Sequence, residues 1–139
     1  MGPGWTCQLK TKTMSKVFIP ADLEKILKKY LYEEEDDENY MLKILRTALS
    51  RGILNNLNIV EYLMSACAHG HYYVAQFLVN NIDVGNISVS DVDMIIQALI
   101  YNAQENLSEK KQIVSLLKSH GFPFGNNNLK ILFFANLVD

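Results

Sequence analysis

Residues 59–84, IVEYLMSACAHGHYYVAQFLVNNIDV, constrain this chain more than any other stretch. They read as a helix, a tight reversal, a second helix and an outgoing loop. Asn58 stands at a helix N-cap, with Glu61 three residues on, the spacing of a capping box. Ile59, Leu63, Ala66 and Cys67 then fall on one helical face. Ser65, Ala66, Cys67 and Ala68 are all small, so a second helix can approach closely. His69-Gly70-His71 interrupts the helix, and Gly70 takes a left-handed backbone without a Cβ penalty. The second helix is expected over 72–80, with Val74, Phe77 and Leu78 inward. So short a reversal makes the two helices antiparallel neighbours.

The rest of the chain reads as partial copies of this hairpin. Pro20 suits a first helical position, and Leu23, Ile26, Leu27 and Tyr30 continue a helix over 20–32. The acidic run 33–38 follows as a solvated loop, because like charges resist packing. A helix over 40–50 buries Met41, Ile44, Leu45, Ala48 and Leu49 and ends at Arg51-Gly52. After a loop with Asp83, Gly85 and Asn86, Ser90 caps the next helix with Asp93 at capping spacing; Met94, Ile95, Ala98, Leu99 and Tyr101 are its apolar positions. A polar connection over 102–108 leads, with Ser108 as cap, to a helix holding Ile113, Val114, Leu116 and Leu117. It ends at His120-Gly121, and Phe122-Pro123-Phe124 blocks its continuation.

The hairpin resembles an ankyrin repeat, whose pattern is a Thr-Pro-Leu-His turn, a small-residue helix, Gly-His and a Val-Val-x-x-Leu-Leu helix. Leu63, Ala66, Gly70, His71, Val74 and Leu78 agree with it. Glu61-Tyr62-Leu63-Met64 replaces the turn element, and Ile82 stands near the usual glycine. LKILRTALSRGI resembles a second repeat helix, and IVSLLKSHGFPFGN a repeat ending with Pro and Asn in place. Gly52, Ile82 and Gly121 lie about 30 and about 39 residues apart, near the family period of about 33. The resemblance implies an all-α fold: about three helix pairs stacked as a short ankyrin-like solenoid over 16–126, with a disordered leader over 1–15. Residues 127–139 read as an incomplete further repeat or an apolar tail.

The resemblance further implies a protein-binding module that uses its loops and first-helix edges. Val60, Ala68 and His69 fall at positions that commonly face the partner, and Asp83, Gly85 and Asn86 at a loop tip. Tyr72 and Tyr73 follow the turn as aromatic contacts. Another α-helical scaffold, a bundle or HEAT-like pair, stays open as an alternative. So does a truncated piece of a larger ankyrin-containing regulatory protein.

Composition weighs against other classes. A net charge of −2 and a pI near 5.9 give no general pull toward nucleic acid or an anionic membrane. Met1-Gly2 formally fits a myristoylation start, but Pro3 makes a plain leader the better reading. Cys7 and Cys67 form no disulfide framework, which points to the cytoplasm or nucleus. His69 and His71 lack the further ligands of a zinc site, so no metal and no cofactor are expected. Cys67 lies on the packing side of its helix, the segment 121–125 lacks a phosphate-loop lysine, and Asp36-Asp37 and Asp91/Asp93 read as loop and cap. No catalytic residue and no enzyme activity are expected.

Overall fold

The computed structural model describes residues 25, 27–29, 37–54 and 56–139, without the side chains of 56–58. The expectations for the leader (1–15), for most of the helix over 20–32 and for 33–36 lie outside these residues. Residues 25 and 27–29 are helical, and Leu27 is fully buried.

Six further α-helices and one short 3-10 turn make up the regular structure of the described residues, and no strand occurs among them. They are α1 (Glu38–Ser50), α2 (Asn56–His69), α3 (Tyr72–Val79), α4 (Val89–Ile100), α5 (Leu107–Ser119) and α6 (Asn126–Phe134). The 3-10 turn is Val84–Asn86. Helices α2, α4 and α6 pack in succession, as do α1, α3 and α5, and α2 packs against α3 between the two rows. The chain therefore alternates between two helical rows. Starts within a row recur roughly every 33–37 residues.

Helices α1 to α5 each turn a stripe at spacing of three and four inward, whereas α6 buries Leu132 alone. Met41, Ile44, Leu45 and Ala48 of α1 are buried, as are Ile59, Leu63, Ala66 and Cys67 of α2. Val74, Ala75, Leu78 and Val79 do the same for α3, and Ile113, Val114, Leu116 and Leu117 for α5. Complete burial of one such aliphatic side chain stabilises the fold by about 1.5–3 kcal/mol before conformational entropy is set against it. Phe77, expected inside, is only half-buried, and the Arg46 guanidinium lies 5.8 Å from its ring centroid, across from α1.

Several boundaries differ from the sequence reading. Asn58 lies within α2, which starts at Asn56, so it is not the cap. Helix α4 starts two residues early. Ser88 accepts from Asp91 N at 3.0 Å, and Asp91 accepts from Ser88 N at 3.1 Å, a complete capping box. Val92 and Ile96, outside the expected apolar positions, are buried, and Met94 and Tyr101 are exposed. Ser108 lies inside α5, whose cap position is Asn106. The acidic run does not remain loop to its end: Asp37 caps α1 by accepting from Tyr40 N at 3.0 Å, and Glu38 is helical.

Candidate functional site

Side-chain bonds tie neighbouring units at nearly constant sequence separation. Glu38 Oε2 accepts from Tyr73 N at 2.7 Å and from Val74 N at 3.1 Å. This carboxylate from α1 satisfies the first N–H groups of α3, where His71 holds the cap position without a side-chain cap bond. Asn106 Nδ2 donates to His69 O at 2.9 Å. His120 Nε2 lies 3.2 Å from Asn80 Oδ1, and Asn128 Nδ2 donates to Asp93 Oδ1 at 3.0 Å. Polar side chains thus hold the turns and helix ends together where apolar packing stops.

The tightest of these joints is around Gly70. Its φ is +72°, and a Cβ there would come within 2.7 Å of Asn106 Cβ. The reversal is therefore seated directly under the turn 101–106. His69 and His71 stack with ring centroids 5.1 Å apart, and His69 Nδ1 lies 2.7 Å from Ser65 O. The histidines belong to this packed joint, and no group of three or more His, Cys, Asp or Glu among the described residues could hold a metal ion.

Lys110 is the residue the sequence hides. It is fully buried, and its Nζ donates to Tyr101 O at 2.7 Å and Asn102 O at 3.0 Å. The lysine satisfies carbonyls at the end of α4, where Asn102 (φ 49°) and Asn106 (φ 56°) turn the chain back. Burial pulls its ammonium below the ordinary range, opposed by the charge of Glu105 and by Cys67. The fully buried Cys67 thiol is pushed up to about 12 by loss of solvent, which Lys110 only partly offsets. A thiol held protonated in this way is a poor nucleophile.

The eight expected contact residues separate into four groups. Val60 is only 5% exposed and so presents no surface to a partner, a correction to its expected role. Ala68 and His69 are half-buried beside the Gly70 joint. Asp83, Gly85 and Asn86 are exposed on the 3-10 turn, where Asp83 Oδ1 accepts from Gly85 N at 3.0 Å and keeps the tip ordered. Tyr72 and Tyr73 sit elsewhere, at the start of α3, with ring centroids 5.4 Å apart in an edge-to-face pair. Tyr73 is 61% exposed.

Those two tyrosines line an open groove of about 810 Å³ across the second row of helices. Glu38 of α1 and Glu109, Lys111 and Ser115 of α5 form the rest of the walls that matter here. The sequence signals for this groove were the two tyrosines alone. Its α5 wall lies about 35 residues away in the chain and is joined only by the stacking of α3 on α5. No described helix is long and apolar enough to cross a membrane. No protein-family model, curated protein or solved structure matches the chain.

Proposed function

We propose that this chain is a non-catalytic protein-interaction module of ankyrin-like type, a short solenoid of helix pairs acting in the cytoplasm or nucleus. The observation that carries this reading is the groove on the second row. It presents an exposed tyrosine, a second tyrosine braced against it and charged side chains from two other helices on a rigid helical support. Exposed tyrosine on a rigid element offers large contact area at low entropic cost, the usual chemistry of a recognition surface. Two rows of helices with recurring starts support the solenoid part of the reading. The exposed tip at Asp83, Gly85 and Asn86 offers a second contact region.

The test is affinity capture with the full chain as bait, run beside Tyr73→Ala and Asp83→Ala/Asn86→Ala. All these positions are exposed, so the variants should fold. Specific partners should be lost from at least one variant. Retention of every wild-type partner by both variants would sink the proposal.

A further inference from the structure

The groove on the second row carries two carboxylates and one ammonium among its lining residues. The sequence holds 15 acidic and 13 basic residues, and six of the acidic ones form the run 33–38. Outside that run nine acidic residues face 13 basic ones, so the negative charge is concentrated in one short stretch. Glu38, the last residue of the run, lines the groove. Its cap on α3 uses Oε2 alone. Glu109 lines the same groove from α5, and Lys111 is the one cation among the lining residues. Tyr73 stands open to solvent in this setting, its ring held edge-to-face against Tyr72.

From this geometry we propose that the groove binds an extended, arginine-bearing basic segment of a partner protein. The proposal rests on the interaction-module reading above and names the chemistry of the partner. A guanidinium is planar and weakly hydrated, so it stacks on the Tyr73 ring while its N–H fork reaches the Glu109 carboxylate. An ammonium makes only a point-charge contact and keeps more of its water. Lys111 sets direction, because a basic segment must approach with its arginine away from it and any carboxylate toward it. The groove is open and its volume is about 810 Å³, room for a few residues of an extended chain.

The test uses the full chain and three fluorescently labelled peptides of about ten residues, alternating glycine with arginine, lysine or glutamate. Fluorescence anisotropy at about 0.15 M salt gives the affinities. The arginine peptide should bind, the lysine peptide about fivefold more weakly, and the glutamate peptide not measurably. Tyr73→Ala and Glu109→Gln should each weaken the arginine peptide about fivefold. Circular dichroism confirms that each variant is folded. Equal binding of the arginine peptide to wild type and both variants overturns the proposal, because binding would then come from diffuse acidic charge. Equal affinity for arginine and glutamate peptides also overturns it. If the arginine peptide fails while Tyr73→Ala still loses a captured partner, the basic-segment assignment falls and the interaction module stands. If Tyr73→Ala and the loop-tip variant lose no partner either, both fall.

Discussion

Gly70 and Gly121 have nearly the same backbone, at φ +72° and +80°, but different surroundings. A Cβ on Gly121 would meet nothing within 4 Å, whereas on Gly70 it would strike Asn106. Gly121→Ala should cost about 1–2 kcal/mol, the left-handed penalty alone. Gly70→Ala should cost at least about 1 kcal/mol more, since Asn106 also carries the bond to His69 O. Urea denaturation of the pair measures the difference, and equal losses would mean that the joint yields. Cys67 makes a second expectation at this scale. Below pH about 9 its thiol is protonated in both folded and unfolded chains and gives no pH dependence. Between 9.0 and about 12 the unfolded chain releases the proton while the folded chain keeps it. Stability therefore falls as pH rises through that window, by up to about 1.4 kcal/mol per pH unit. Lys110 acts with the opposite sign below 10.5, because its folded form releases a proton first. The stability gap between wild type and Cys67→Ala should accordingly narrow from pH 8 to pH 10.5. A gap constant across that range would show that the thiol ionises equally in both states. Neither the seat of Gly70 nor the burial of Lys110 is legible in the sequence. Lys110-Lys111 reads as solvated surface, and only the turn 101–106 folding back over Lys110 gives its ammonium two carbonyls.

Helix α3 is eight residues long, too short to stand without tertiary support. Its apolar face was readable from Val74 and Leu78, but its N-terminal support comes from Glu38, 35 residues earlier. Glu38→Gln keeps the shape and loses the charge, so it should destabilise the protein by about 1 kcal/mol at low salt and by less at high salt. Denaturant midpoints at two ionic strengths check this. A loss that does not change with salt would mean that the side chain serves only as a neutral hydrogen-bond acceptor. Helix α4 teaches the complementary lesson. Ser88-x-x-Asp91 and Ser90-x-x-Asp93 are equivalent as sequence patterns. The structure uses the first, so α4 begins at Val89, and the pattern by itself does not choose between them.

Across the whole molecule, the two rows give each helix its contacts mainly from the units before and after it. Helices with packing neighbours on fewer sides open at a lower free-energy cost. Helix α6 packs on α4, and its Phe133 and Phe134 are 55% and 80% exposed. Amide hydrogen exchange should run fastest in α6 and slowest in α2 and α3, which have neighbours on more sides. Equal protection throughout would instead indicate one cooperative core.

The sequence alone determined that the chain is helical, where most helices lie, and most of their inward faces. Those properties follow from local periodicity, from Gly and Pro at helix ends, and from small residues on one side of α2. Tertiary structure alone decided that Val60 and Lys110 are buried, and that Tyr72 and Tyr73 share a groove with Glu38 and Glu109. The physical reason is range. Backbone propensity and amphipathic spacing act within about four residues. The bonds of Glu38 to Tyr73, Asn106 to His69 and Asn128 to Asp93 instead join residues 35 to 37 apart, which meet only after the rows have stacked.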